Sequence, residues 1–264
     1  MLENWNKPQR PEETELEERL KAAREKLAGQ QMKIKEHGLP VLVLFEGWGT
    51  ARKGSVLGKI IRNIDPRFFK VAAMDIPTEE EKRKPFLYRY FVKIPEKGKF
   101  MFLDSGWMDE VTQDCLKGKL KERDYKTKIE SIKRFERQLT DNGYLVMKFF
   151  FQISQKEQKK RIDALKKDKN TSWRVSEKDD WQNKNYEKCL EVFDRYLNDT
   201  NAPADPWYVI DAKNKKWAEL QVLEALTSGI DTALKNSEMA VPLLQNVFPL
   251  EKIEKLSEVS LEKS

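Results

Sequence analysis

The sequence has few of the side chains that most transition-metal and disulfide sites require. It contains one histidine and two cysteines among 264 residues, and Cys115 and Cys189 show neither metal-ligand nor disulfide spacing. This pattern predicts reduced thiols in a cytoplasmic protein. The single histidine, His37, stands beside Gly38 before the first predicted strand. We interpret it as a surface residue at a helix end rather than as a catalytic group.

Long apolar segments are missing as well. No run approaches the roughly 18 consecutive apolar residues that a membrane-spanning helix needs. The first residues, Met1–Asn4, do not form a basic region followed by an apolar one, so the sequence predicts no signal peptide. We therefore expect no contact with a membrane.

Charge is abundant but mixed in sign. The chain carries 50 Lys and Arg against 44 Asp and Glu, for a formal net charge of +6. A mild basic excess suits an anionic small substrate and nucleic acid equally well on charge alone. No recognition-helix pattern, RNA-binding aromatic motif or zinc spacing is present, so nucleic-acid binding is the weaker interpretation.

Short apolar strands alternate with helical patterns along most of the chain. This order predicts an α/β fold in which helices flank a parallel sheet, with ligands bound beyond the carboxyl ends of the strands. The predicted strands are Val41–Phe45, Lys70–Met74, Lys99–Leu103, Leu145–Gln152 and Trp207–Ile210. One helix, with Ile129, Ile132, Phe135 and Leu139 on one face, is predicted between the third and fourth strands. The loop at 46–54, Asp75 and Asp104 are expected at the carboxyl edge of the sheet.

We divide the chain into a charged helical arm (1–38), a main domain (39–235) and a C-terminal tail (236–264). The first ten residues are polar, and we expect them to be loose.

The segment Val41–Ser55 is the most informative part of the sequence. An apolar run ends in a glycine-bearing loop, and the loop leads through Lys53 into a helical pattern. Strand, loop, lysine and helix follow one another in phosphate-binding loops, where backbone N–H groups, a cation and a helix N-terminus meet phosphate oxygens. An ordinary strand–turn–helix connection is the alternative interpretation of the loop taken alone.

Further segments resemble the type-2 polyphosphate kinase family, and they keep the order of that family from about residue 39 to 225. The loop spelling Glu46–Gly49 is most similar to one half of the duplicated polyphosphate:AMP phosphotransferases. The other segments that carry the resemblance are 65–71, 77–82, 85–91, 94–99, 102–107, 151–162, 173–176 and 206–210.

The resemblance implies a P-loop-kinase-like fold with a basic helical lid at about 160–184. The implied activity is Mg²⁺-dependent transfer of phosphate between inorganic polyphosphate and an AMP- or ADP-type nucleotide, with a homo-oligomer left open. The implied catalytic residues are Lys53, Asp104 and Arg161, and Asp104 is also the implied Mg²⁺ ligand. The implied phosphate- and nucleotide-binding residues are Gly47, Gly49, Arg52, Gly54, Ser55, Arg89 and Arg174.

Two of these assignments have structural alternatives. Arg89 suits a surface ion pair with Glu80 or Glu81 as well as it suits a nucleotide contact. The stretch at 160–184 also fits a solvated helix–loop–helix face, although the resemblance favours a lid.

Three positions depart from the family pattern. Relatives carry Asp where this chain has Gly49, Gly where it has Arg52, and Arg where it has Ser105. Loss of a phosphate-contacting arginine weakens transition-state stabilisation. Two hypotheses therefore stand side by side: an active phosphotransferase, and a degenerate relative that binds polyphosphate or nucleotide or pairs with an active subunit.

Overall fold

A five-stranded parallel sheet forms the centre of the molecule, which confirms the predicted α/β class. The computed structural model describes residues 1–74 and 76–247, with side chains through 236. The strand order is β2-β3-β1-β4-β5. The strands are β1 (Val41–Gly47), β2 (Phe69–Ala73), β3 (Phe100–Asp104), β4 (Leu145–Gln152) and β5 (Trp207–Asp211).

The three inner strands are buried because helices cover both faces of the sheet. Val41–Phe45 of β1 are all buried, and β4 is buried from Val146 to Phe151. The edge strand β2 is half-exposed, and Val71 in it is 44% exposed. The predicted strand ends differ from the observed ones by at most two residues, and those of β4 agree.

Ten α-helices lie in the described residues. They are α1 (Glu13–Glu36), α2 (Lys53–Ile60), α3 (Glu79–Lys82), α4 (Tyr88–Phe91), α5 (Trp107–Leu116), α6 (Glu122–Asp141), α7 (Gln155–Lys167), α8 (Glu177–Lys184), α9 (Tyr186–Asp199) and α10 (Lys215–Val247).

Two helices join β3 to β4, whereas the sequence predicted one. The predicted helix is α6, which buries Ile129, Ile132, Phe135 and Leu139 as expected. The additional helix α5 begins just after β3, and Gly118 (φ +67°) follows its end. Its ten residues are too short for a clear periodic signal, so the pattern did not reveal it.

The N-terminal region packs against the main domain. Helix α1 lies along α10, where Arg24 donates to Glu219 at 2.6 Å and Leu20 is fully buried. The first ten residues were predicted to be loose, but Leu2 is buried and the Lys7 ammonium lies 3.2 Å from the Asp211 carboxylate. Sequence patterns missed these contacts because they join residues about 200 positions apart.

The C-terminal boundary also differs from the prediction. Helix α10 continues through position 236 to Val247, so the first part of the predicted tail is helical. The rest of the predicted tail, 248–264, lies outside the described residues, as does Asp75, which was expected at the ligand-binding edge of the sheet. No helix within the described ranges is long and apolar enough to cross a bilayer.

Candidate phosphate-binding site

The loop that follows β1 begins at a glycine that no other residue can replace without strain. Gly47 has φ +125°, and a Cβ at this position would lie 2.5 Å from the carbonyl oxygen of Phe151 in the neighbouring strand β4. The next residue, Trp48, is fully buried and stacks on Tyr186 at 4.0 Å between ring centroids. The indole Nε1 of Trp48 donates to Gln152 at 2.6 Å. These contacts fix the start of the loop to β4 and α9.

Two non-glycine residues of the loop adopt the left-handed conformation. Thr50 has φ +59° and Arg52 has φ +69°. Arg52 therefore holds the backbone geometry that glycine favours, at a cost of about 1–2 kcal/mol for an L-residue. Helix α2 begins at the next residue, so its N-terminal N–H groups face the loop.

Asp104 lies beside Gly54, the residue that follows Lys53 in the first turn of α2. The Lys53 ammonium donates to the Gly47 carbonyl at 3.4 Å and so spans the loop. A Cβ at Gly54 would lie 3.3 Å from Oδ2 of Asp104, which places this carboxylate beside the first turn of α2. The approach follows from the sheet, because Asp104 ends β3 opposite Phe45 of β1. Ser55 is exposed in the same turn.

A second carboxylate, Glu46, lies beneath this site and was not predicted. Its side chain is 2% exposed, and it accepts a hydrogen bond from the Gly106 N–H at 2.6 Å. Burial raises its pKa to about 8, with a further rise from Asp109 and an opposing effect from Lys53. Glu46 thus secures the turn after β3, where Ser105 is left-handed at φ +65°. A carboxylate inside an apolar strand was the available signal.

Arg161 is buried rather than exposed on a lid. It is 6% exposed, and its guanidinium lies 2.8 Å from the Glu157 carboxylate. Its remaining N–H groups donate to the carbonyls of Thr50 (3.1 Å), Ala212 (2.8 Å) and Lys213 (3.1 Å). In this arrangement Arg161 fastens α7 to the phosphate loop and to the end of β5. Its phosphate contact stays a prediction.

The predicted lid region divides into two chemically different parts. The end of α7 and the residues after it are basic and exposed, with Trp173 75% exposed and the Arg174 guanidinium 5.2 Å from its ring. Helix α8 instead begins with three acidic residues in its first turn. The predicted lid was described as a basic insert, and this description fits only its first part. In α8, the second part, a side-chain acceptor rather than a cation contacts the loop.

Arg89 lies in α4 and is 6% exposed. Its Nε is 3.9 Å from the Glu81 carboxylate, and its guanidinium lies 5.5 Å from the Tyr90 ring. The predicted ion pair with Glu81 is therefore present. A contact between Arg89 and a nucleotide stays a prediction.

Asp104 suits a magnesium ion that arrives with phosphate. Mg²⁺ in phosphoryl-transfer sites usually takes one or two protein carboxylates and completes its shell with water and phosphate oxygens. Asp104 supplies one such carboxylate beside Lys53 and the N-terminus of α2. Within the described residues no three His, Cys, Asp or Glu side chains are grouped as a metal site. The donor set therefore fits a metal shared with substrate rather than a cage made of protein alone.

Two clefts lie beside the ends of β4 and β5 rather than at the phosphate loop. Their volumes are about 380 and 210 Å³. The larger one is lined by Lys7, Pro8, Arg10, Asp211, Lys213 and Asn214. Lys7 pairs with Asp211, and Arg10 pairs with Glu13, so these two cations are already neutralised. We assign no role to either cleft.

The parallel sheet, the loop with Lys53 at the start of α2, and the adjacent strand-end Asp104 define a P-loop-kinase-like α/β fold. The sequence model of the family "Polyphosphate kinase 2" matches residues 10–238. The chain belongs to the polyphosphate kinase 2 family, which confirms the resemblance noted from its motifs.

Curated relatives and a solved structure agree with this assignment. The chain is 32% identical over 218 residues to polyphosphate:AMP phosphotransferase of Pseudomonas aeruginosa, covering 82% of this chain and 44% of that protein. It is 30% identical to GDP-polyphosphate phosphotransferase of Mycobacterium tuberculosis, covering 74% of this chain and 66% of that protein.

A crystal structure described as polyphosphate kinase 2 from Pseudomonas aeruginosa superposes with a TM-score of 0.84 at 25% identity, covering 89% of this chain and 51% of that one. The chain spans less than half the length of the first two curated relatives.

Proposed function

We propose that this chain transfers phosphate between inorganic polyphosphate and a nucleoside mono- or diphosphate. The observation that carries the proposal is the position of the Asp104 carboxylate beside Gly54, in the first turn of α2 that also carries Lys53. Phosphoryl transfer needs positioning and neutralisation of charge more than a covalent nucleophile, and these three groups supply both. The names of the curated relatives support the same substrate class.

In the proposed mechanism the loop binds the terminal phosphates of the polymer. Backbone N–H groups of the loop and of α2 donate to phosphate oxygens, and Lys53 exchanges the Gly47 carbonyl for a phosphate oxygen. Asp104 would hold Mg²⁺, which supplies neutralisation of the charge that develops during transfer. Burial lowers the pKa of Arg161, and the charge of Arg52 lowers it further, so Arg52 adds positive potential at the loop. Gly49 and Ser55 belong to the same proposed cradle.

The acceptor nucleotide is the less defined half of the proposal. We place Arg89 and Arg174 among its contacts, because the resemblance implies these positions and Arg174 is exposed. Relatives carry names with AMP and with GDP, so both classes of acceptor enter the proposal. We also propose a cytoplasmic enzyme that can form a homo-oligomer, in keeping with its free cysteines and its nucleotide substrates.

Initial rates of nucleotide phosphorylation test this function. The reaction would contain polyphosphate of defined length, Mg²⁺ and AMP, ADP, GMP or GDP in turn, and EDTA would replace Mg²⁺ in a parallel series. We expect transfer to at least one acceptor, and a loss of about a hundredfold or more in Asp104→Asn. Asp141→Asn, an exposed carboxylate at the end of α6, is the matched control and should act as wild type.

Absence of transfer to all four acceptors, together with retained polyphosphate binding, would instead favour the degenerate binding protein or partner subunit. Equal rates with Mg²⁺ and with EDTA would remove the metal from the mechanism.

A further inference from the structure

One contact joins the predicted lid directly to the phosphate loop. The side-chain Oε1 of Gln182 in α8 accepts a hydrogen bond from the Gly49 N–H at 2.8 Å. The Oδ1 of Asp179 occupies the space that a Cβ at Gly49 would fill. Both atoms are acceptors, and the carboxylate of Asp179 is an anion. Helix α8 therefore presents to the loop the same chemistry that a phosphate group presents.

Gln182 is held in place by a buried set of amide side chains. Its Oε1 also accepts from Gln158 Nε2 at 2.8 Å, and the same Nε2 lies 3.3 Å from the Gly49 carbonyl. Asn183 Nδ2 donates to Gln158 Oε1 at 3.1 Å. Gln158, Gln182 and Asn183 are 0%, 3% and 8% exposed. A buried, mutually bonded set of this kind holds one geometry, so the contact with Gly49 is a built feature of α7 and α8.

Lys178, the residue before Asp179 in α8, pairs with a carboxylate of another helix. Lys178 donates to both carboxylate oxygens of Asp109 in α5 at 2.6 and 2.7 Å. Asp179 caps its own helix by accepting from the Ser176 N–H at 2.7 Å. Within the described residues, α8 thus brings acceptors to the loop while Lys178, one of its two lysines, is neutralised on α5. In this arrangement α8 competes with a phosphate for the loop and supplies no cation to bind it.

We propose that α8 is an internal competitor of phosphate, in which Gln182 occupies the loop donor at Gly49 and Asp179 holds a negative charge beside it until a polyphosphate end displaces them. The inference rests on the proposed function, because it takes the loop as the phosphate site. A bound phosphate needs the Gly49 N–H, and one hydrogen cannot serve two acceptors at full strength. The apparent affinity for polymer is then reduced by the fraction of molecules in which α8 is docked.

Gly49 itself is part of this device. A Cβ at this position would overlap with Oδ1 of Asp179, so a glycine is what allows the Asp179 carboxylate to lie where it does against the loop. The family's aspartate and the docked α8 of this chain therefore exclude one another sterically.

The test measures polyphosphate affinity by calorimetry in wild type, Gln182→Met and Asp179→Asn. Methionine keeps the volume of Gln182 and removes the acceptor. We expect both variants to bind polyphosphate about three- to tenfold more tightly, since Gln182→Met removes a competing hydrogen bond and Asp179→Asn removes a negative charge beside the phosphate donor. Asp180→Asn is the matched control: it makes the same charge change in the same turn, but Asp180 pairs with Lys166 instead of facing the loop. The polyphosphate affinity of Asp180→Asn should equal that of wild type when both are measured at the same salt concentration.

Hydrogen exchange of residues 177–184 provides a second measurement that does not depend on catalysis. Exchange should speed up in wild type when polyphosphate is added, and in Gln182→Met without it. Weaker polyphosphate binding in Gln182→Met, with an unchanged melting curve, would overturn the inference and make Gln182 a substrate-positioning residue. No binding in any variant would overturn both proposals. Tighter binding in the variants without phosphate transfer would keep this inference and reject the enzymatic function.

Discussion

The phosphate loop and the helix α8 that touches it are held by different kinds of interaction. The loop is fixed through its backbone: Gly47 contacts β4, and Thr50 and Arg52 hold left-handed dihedral angles. Helix α8 is fixed mainly through side-chain amides, above all that of Gln182. A structure defined by the backbone tolerates a change of side chain, whereas a contact made by side chains is lost with one substitution. The two regions should therefore respond differently to mutation.

The three departures from the family pattern illustrate the difference. Arg52 and Ser105 both adopt left-handed backbone angles, which are set by the backbone of their turns. Gly49 changes instead which partner the loop has, because its missing Cβ admits Asp179. A residue that differs from the family pattern therefore does not by itself mean that the site is lost.

Lys53→Ala should have the largest effect on turnover and would test the loop alone. It removes the cation that spans the loop without disturbing a buried contact, since Lys53 is half-buried and bonded only weakly to Gly47 at 3.4 Å. We expect turnover to fall by about a hundred- to a thousandfold, or roughly 3–4 kcal/mol in transition-state stabilisation. Initial rates and a melting curve are the measurements.

Lys59→Ala, in the last turn of the same helix, is the matched control and should keep wild-type rates. Unchanged affinity and rate in Lys53→Ala would remove this lysine from the site.

Arg161→Met breaks the connection between the loop and α7. The variant leaves the carbonyls of Thr50 and Ala212 without their donor and Glu157 without its partner. We expect the free energy of unfolding to fall by about 2–4 kcal/mol, measured by urea denaturation. Arg137→Met, on an exposed arginine of α6, should change it by less than about 0.5 kcal/mol. A lost polyphosphate affinity with wild-type stability would instead identify Arg161 as a phosphate ligand.

Glu46→Gln tests how the buried carboxylate beneath the loop makes the stability of the protein depend on pH. The native pKa of Glu46 is about 8 against an ordinary 4.5, so the folded state binds this proton more tightly than the unfolded state does. Stability from this group is therefore full below about pH 4.5 and is lost as pH rises through 8. Glutamine does not titrate and can still accept from the Gly106 N–H.

The variant should match wild type near pH 4 and exceed it in unfolding free energy by about 4–5 kcal/mol at pH 8.5, since each pH unit between 4.5 and 8 costs the wild type about 1.4 kcal/mol. Urea denaturation across this range measures the difference. Burial also raises the pKa of Glu136, to about 8. This residue is present in both proteins, so its contribution cancels in the difference between their unfolding free energies. A difference independent of pH would show that Glu46 is ionised throughout.

Arg52→Gly should have the smallest effect. Glycine relieves the left-handed strain at φ +69° and the repulsion from Arg161, but it adds freedom to the unfolded chain. We expect a net gain of about 0.5 kcal/mol in unfolding free energy, measured by thermal denaturation. Arg52→Ala separates the two causes, because it removes the charge and retains the strain. A loss of more than about 1 kcal/mol in Arg52→Gly would mean that the arginine side chain itself stabilises the loop.

Periodicity was sufficient for the sheet and for the loop. Buried parallel strands are continuous apolar runs, so their number and near-correct limits could be read directly, and β4 was predicted to the residue. The order of strands and helices also predicted that the loop after β1 and Asp104 would lie at the same edge of the sheet, because parallel strands end at one edge. Local order along the chain carries all of this information.

What a charged residue contacts could not be predicted in the same way. Arg161 was expected to face phosphate, yet it donates to carbonyls about 50 and 110 residues away. Glu46 looked like a loop residue and is a buried carboxylate with a raised pKa. Charge and spacing are the same in both interpretations, since burial and partners depend on which distant segments pack together.

The sequence by itself determined the family, the parallel sheet and the position of the phosphate loop, because these follow from short-range periodicity and motif order. Only the tertiary structure decided that α8 docks on Gly49 through Gln182, that its acceptors rather than its cations face the loop, and that Arg161 links the loop to β5. The physical reason is that each of these contacts joins segments from about 50 to more than 130 residues apart, and their geometry exists only after the helices have packed on the sheet.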